Sequence, residues 1–291
     1  MEFSVAQQSV QGGRDYNEDR TAVYQRKDAL LVIVADGLGG HAGGAIASQA
    51  FIDALGASFA KATSVQLEDA EKFLSLSINY AHHMIHRRAT TQGLDPDSPK
   101  TTCVVCLIYH GVAQWAHAGD SRLYLIRDQR IVSQTEDHVS HRANMSNSPI
   151  NRCVGGIEPP NPAVSNRYHV DKGDIFVLAT DGAWHGFQAS DLHDYVDPKQ
   201  PTLGLDTLLQ TLENRNKAPS DNLSMVILYW GVEQLDRPVD YDARAKATVH
   251  PLTNIGSRPE SNISVADFDM GELDSAIIEI ESFITEIDKK L

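Results

Sequence analysis

An apolar run, Leu30–Ala35, ends on the pair Asp36-Gly37 and is followed by Gly39, Gly40, Gly43 and Gly44. Such a run reads as a buried strand. A carboxylate at the end of a buried strand is expensive to desolvate unless something positive meets it. The pattern recurs at Ile175–Gly182, IFVLATDG, where Asp181 takes the place of Asp36. Either aspartate alone reads as a cap or turn residue. Two such strand ends in one chain point to carboxylates converging on a metal. Further acids flank other expected strands: Glu18 and Asp19, Asp120 in GDSR, and Asp221 in SDN. Magnesium and manganese favour oxygen donors of this kind. Bound cations lower the pKa of water from 15.7 towards ~7–9 and offset charge on phosphoryl oxygens. Arg14 carries a planar fork suited to a phosphate dianion, or pairs with a neighbouring acid at the surface.

The balance of charge agrees. A formal net charge of -14 over 291 residues disfavours nucleic acid and anionic membrane as partners. An acidic chain that handles phosphate needs a local positive centre, which metal ions provide. Cys103 and Cys106 have CxxC spacing within TTCVVCLIY and read as strand packing, because no second ligand pair follows. Those two and Cys153 form no secreted disulfide framework. The N-terminus lacks the basic and apolar regions of a signal peptide. No apolar run approaches the ~18 residues of a membrane span. The expected location is cytoplasmic.

Taken in order, strands are expected within residues 3–12, at Ala22–Gln25, and at Leu30–Ala35. Helical stripes follow at Ala45–Ala60 and Glu68–Arg88. Thr101–Tyr109 and Val112–Ala118 form a hairpin about His110-Gly111, and Leu123–Arg127 and Arg130–Gln134 another about Asp128-Gln129. Residues 136–162 read as irregular. Strands at Ala163–Val170 and Asp174–Ala179, a helix at Leu203–Leu212 and a strand at Leu223–Trp230 complete the set. Helices cluster early and late while hairpins fill the middle. That segregation predicts an α+β fold of antiparallel sheets covered by helices. Three regions are expected: a domain over 1–232, a polar linker or wrap over 233–270, and an amphipathic C-terminal helix over 271–291. Leu273, Ile277, Ile280, Ile284, Ile287 and Leu291 mark that last stripe, which docks on the chain's own domain or on a partner or second copy.

The ordered set Arg14-x-x-Asn17-Glu18-Asp19-Arg20, VADGLGGH, AGDSRLYL, TEDH, NRCVGG, ATDG and DNLS resembles the metal-dependent serine/threonine protein phosphatases of the type-2C family, in their small bacterial form. The resemblance spans residues 12–230. It implies an αββα sandwich with a binuclear manganese or magnesium centre at the sheet edges. It also implies that Asp36 bridges both cations, that the Gly37 carbonyl joins one, and that Asp181 and Asp221 ligate the first. Glu18 then binds the second cation directly or through water, Asp19 orients waters, and Arg14 clamps the substrate phosphate. Activated water attacks phosphorus without a phosphoenzyme. The implied substrate is a phosphoserine or phosphothreonine protein, opposing a Ser/Thr kinase. A non-catalytic regulator that binds phosphoproteins, or a partner through its C-terminal helix, is the alternative.

The chain also departs from that family. His185 follows Ala183-Trp184 where relatives often carry Asp, and it would serve with Asp120 at a third metal site; an imidazole suits magnesium poorly. A normal third site is therefore not expected, and Asp120 reads equally as a hydrogen-bonded turn residue. The stretch between Asp137-His138 and Asn151-Arg152, a flap in relatives, is short. Leu38 replaces the histidine that serves many eukaryotic relatives as a proposed general acid. Gly37-x-Gly39-x-x-Ala42 also resembles a dinucleotide fingerprint, but the chain lacks βαβ alternation downstream. His82, His83 and His86 read as a solvated helix face.

Overall fold

The computed structural model describes residues 1–39, 42–139, 150–216, 220–235 and 250–251. Its strands are β1 (Phe3–Val10), β2 (Arg20–Gln25), β3 (Ala29–Ala35), β4 (Gly37–Leu38), β5 (Lys100–Thr101), β6 (Cys103–Tyr109), β7 (Val112–Ala118), β8 (Arg122–Arg127), β9 (Arg130–Gln134), β10 (Val154–Gly155), β11 (Ala163–Val164), β12 (Tyr168–His169), β13 (Ile175–Ala179), β14 (Leu223–Trp230) and β15 (His250–Pro251). Its helices are α1 (Ala42–Lys61), α2 (Ser64–Glu68), α3 (Ala70–Thr91), α4 (Asp181–Trp184), α5 (Ala189–Tyr195) and α6 (Pro201–Asn216). The expected helix at 271–291 and nearly all of the expected linker lie outside the described residues. Among the described residues no helix is long and apolar enough to cross a membrane.

Two antiparallel sheets stack face to face. One runs β1-β14-β13-β8-β9; the other is built on β7-β6-β3-β2, with β11 and β12 on β7 and β15 on β2. Alternation decides which side chains meet. Leu30, Val32 and Val34 of β3, with Val104, Cys106 and Ile108 of β6, point at Phe176, Leu178, Val226 and Leu228 of the opposite sheet. The intervening residues, such as Leu31 and Ile33, occupy the other face of the strand, on the side covered by α1 and α3. Burial on both faces is why β3 and β6 carry no polar residue, and why Cys103 and Cys106 are packing residues. Leu205, Leu208, Leu209 and Leu212 of α6, with Leu192 of α5, cover the outer face of the β1-β14-β13 sheet. The αββα expectation is met.

Local differences have identifiable causes. The expected helix Glu68–Arg88 is α3, capped by Asp69 through the Lys72 amide, and a short helix that was not expected, α2, precedes it, opened by a reciprocal capping box of Thr63 and Gln66. The expected strand Thr101–Tyr109 breaks at Thr102, whose amide donates to the Asp36 carbonyl at 2.8 Å. This leaves β5 free to pair with both β4 and β10. Gly43 and Gly44 lie inside α1 and are not part of the turn before it. The expected strand Ala163–Val170 reduces to β11 and β12. The reading of His82 and His86 as solvated is corrected: His82 is buried and accepts from the Gly155 amide at 3.1 Å, and His86 Nε2 meets the Gly156 carbonyl at 2.7 Å. They dock α3 onto β10, a strand hidden in the supposedly irregular stretch.

Candidate metal centre

The acidic strand ends do converge. Asp36 leaves β3 where β4 and β5 begin, and its carbonyl accepts from the Thr102 amide and from Thr101 Oγ1 at 2.9 Å. Asp181 opens α4 directly after β13. Asp19 precedes β2, Asp120 lies between β7 and β8, and Asp221 precedes β14. Burial is the main reason that the Asp36 carboxyl is held well above the usual carboxylate range; the negative charges of Asp19, Asp181, Asp120 and Asp221 add to it. Asp19 is raised by burial against its bond from Thr180, and Asp120 is pushed up to about 6, chiefly by burial and then by Asp181. Burial followed by Asp221 raises Asp181.

The Asp-Gly pairs have a steric reason. A Cβ on Gly37 would stand 2.4 Å from the backbone of Gly44, and one on Gly182 would stand 2.2 Å from the Asn222 carbonyl. Only glycine permits each close approach. A Cβ on Gly44 would meet Glu18 Oε1 at 2.6 Å. Glu18 is thus brought to the same end of the sandwich, with its carboxylate packed against the first turns of α1.

Residues outside the expected set hold the acids in place. Asn222 Nδ2 donates to the carbonyls of Gln11 at 2.7 Å and Tyr16 at 3.0 Å, while its Oδ1 accepts from the Glu18 amide at 2.9 Å. One side chain therefore pins the whole loop that bears Arg14, Glu18 and Asp19. Thr180 Oγ1 donates to Asp19 Oδ2 at 2.8 Å and accepts from the Ser224 amide at 3.0 Å. The signal for these clamps was the polar residue beside each acid, in ATDG and SDN, but pairing across the fold is invisible from one strand. The Arg14 guanidinium meets Asp221 Oδ2 at 2.5 Å, and Asp221 Oδ1 accepts from the Asn222 amide at 2.8 Å.

His185 is exposed and stacked on Trp184, with ring centroids 4.0 Å apart. Its Nδ1 lies 2.8 Å from the Asp181 carbonyl, which makes Nδ1 the protonated nitrogen and leaves Nε2 as the acceptor. Trp184 Nε1 donates to the Asp120 carbonyl at 2.8 Å, and Arg122 lies over the Trp184 ring at 3.3 Å while gripping Asp137 with two bonds of 2.8 Å. This stack fixes the backbone of Asp120 and leaves its carboxyl turned inward. At the base of the expected flap, Val139 bridges Ile150, and the Asn151 amide donates to the His138 carbonyl. Residues 140–149 lie outside the described residues.

Among the described residues, no three His, Cys, Asp or Glu side chains form a closed metal cage. The Arg14–Asp221 pair occupies one oxygen that a cation would take. The residues nevertheless fit a hard cation. Asp19 Oδ1 and Asp120 Oδ1 are buried with no hydrogen-bond partner, which is costly in a site left without positive charge. The clustered donors are carboxylates and carbonyls, the set that magnesium and manganese favour.

Relatives share this architecture. A serine/threonine phosphatase of Listeria welshimeri is 33% identical over 127 residues, covering 43% of this chain and 50% of its own length. The chain thus spans about half the length of the first curated relatives it matches. The structure of the Streptococcus agalactiae serine/threonine phosphatase superposes with a TM-score of 0.67 at 23% identity, covering 79% of this chain and 100% of that one. The catalytic domain of the phosphatase PstP, in complex with two manganese ions, superposes at 0.63 with 26% identity, covering 78% of this chain and 97% of that one. The protein phosphatase 2C family profile matches residues 8–216. On that match, which takes in both Asp-Gly strand ends, the chain belongs to the protein phosphatase 2C family.

Proposed function

We propose that this protein hydrolyses phosphoserine and phosphothreonine on proteins, using manganese or magnesium held by the carboxylates described above. The observation that carries the reading is the gathering of Asp19, Asp36, Asp120, Asp181 and Asp221, with Asp36 forced far above its ordinary pKa by burial and its acidic neighbours. Asp36, Asp181, Asp221, the Gly37 carbonyl and Glu18 would hold two cations. When bound, the cations supply an acidified water and neutralise phosphoryl charge. Asp19, fixed by Thr180, orients water with its free Oδ1. Arg14 receives the phosphate through its planar fork. Asp120 and His185 would serve any third cation, and the exposed imidazole makes that a weak site. The partner of the reaction is a phosphoprotein made by a Ser/Thr kinase.

The test is release of phosphate from a phosphothreonine peptide with added manganese, and its reversal by a chelator. Asp36→Asn should lower turnover at least ~100-fold, the scale on which charge stabilisation at a reacting centre is lost. Undiminished turnover in that variant would defeat the mechanism. Binding of phosphopeptide with no turnover at any manganese concentration would leave the regulator reading in its place.

A further inference from the structure

We propose that Arg14 is the resident counter-ion of Asp221 and that a divalent cation must displace it, so that filling the metal site frees the guanidinium for a substrate phosphate. The inference rests on the metal reading above and adds an order of events to it. Both oxygens of Asp221 are engaged, Oδ2 by Arg14 Nη2 at 2.5 Å and Oδ1 by the Asn222 amide at 2.8 Å. A cation that takes Asp221 in company with Asp181 therefore competes with Arg14 for an oxygen. It also places like charge beside the guanidinium.

The backbone on both sides of the pair is fixed. The Gly13 amide donates to the Ser220 carbonyl and hydroxyl, both at 3.0 Å, and Asn222 ties the loop at Gln11 and Tyr16. Only the Arg14 side chain is free to swing. With 56% of the Arg14 side chain and 38% of the Asp221 side chain exposed, the pair is solvated and weak enough to be broken. The released fork then carries unpaired donors at the mouth of the acid cluster, where a phosphate would lie. Coupling of this kind is reciprocal: a phosphate that captures Arg14 also strengthens cation binding.

Calorimetric titration of the full chain with manganese alone tests this in the wild type, Arg14→Ala and Arg14→Lys, with circular dichroism to establish folding. Loss of an exposed pair should tighten manganese binding about fivefold in Arg14→Ala. Arg14→Lys keeps the charge but loses the fork, and should tighten it about twofold. With manganese saturating, inorganic phosphate should bind the wild type at least about tenfold better than Arg14→Ala. If the wild type takes up manganese and both variants match its affinity, the displacement is wrong while the metal reading stands. If Arg14→Lys matches the wild type and only Arg14→Ala tightens, net charge alone is responsible and the pairing is overturned. No manganese uptake by folded wild type would remove the metal reading itself, and this inference with it.

Discussion

Asn222 does at the scale of one residue what no acid in the site can do for itself. It bonds the carbonyls of Gln11 and Tyr16 and the amide of Glu18, and so fixes a loop distant in sequence. Asn222→Ala should lower stability by about 1–3 kcal/mol, since three part-buried hydrogen bonds to this loop are lost. It should also reduce manganese-dependent turnover, because Glu18 and Asp19 lose their register. Denaturant unfolding and a phosphopeptide assay check the two effects; a variant as stable and as active as the wild type would show that the loop is held by other means. The acids themselves were legible in the sequence because a carboxylate at a buried strand end is chemically anomalous. Asn222 and Thr180 were not, because a polar residue beside an Asp is ordinary until the fold brings a distant loop against it.

Among the elements, the seam between α3 and β10 gives the clearest contrast of legible and hidden structure. The apolar stripe that makes α3 helical could be read directly, while the two-residue β10 has no period to detect. Its anchors, His82 and His86, are polar residues that helical spacing alone assigns to solvent. Burial, reinforced by His86 and His83, lowers the His82 pKa to about 4 from its ordinary 6.5. The unfolded chain therefore binds the proton more readily. Stability from neutral His82 is complete above pH ~6.5 and is lost as pH falls towards ~4. His82→Gln should be less stable than the wild type at pH 7. Its deficit should shrink by about 1–2 kcal/mol at pH 5, because the wild type alone loses this contribution. Urea melts at the two pH values measure the difference; a deficit that does not change with pH would mean that His82 is not the titrating group. The missed helix α2 was legible after all, in the Thr63-x-x-Gln66 box, but five residues carry too little stripe to announce a helix.

At the scale of the whole molecule, antiparallel sheets covered by helices followed from the order of helices and hairpins, and the two-sheet sandwich from the family resemblance, but the closing contacts followed from neither. The expected domain edge near residue 232 cuts through them. The Gly231 amide donates to the Glu2 carbonyl at 2.9 Å, Gln234 Oε1 accepts from the Val5 amide at 3.0 Å, and the Leu235 amide donates to the Lys199 carbonyl at 2.8 Å. A chain ending at residue 235 should unfold cooperatively with manganese affinity unchanged. One ending at residue 230 should be less stable by about 1–3 kcal/mol, the sum of a few net hydrogen bonds. Thermal melts of the two truncations decide it; equal stability would place the boundary earlier.

Strand β1 pairs with β14 along its full length, Phe3 opposite Trp230 and Val10 opposite Leu223. The first and last long strands of the sandwich are therefore neighbours, and Asp221 arrives only with the later of them. A polypeptide still emerging from the ribosome holds Asp19, Asp36 and Asp120 well before their remaining partners have been made. Such a nascent chain has to keep its N-terminal edge unpaired until synthesis passes residue 230, and folding that waits on so distant a partner is slow. Any site that draws on Asp221 is therefore assembled only after β14 has been synthesised.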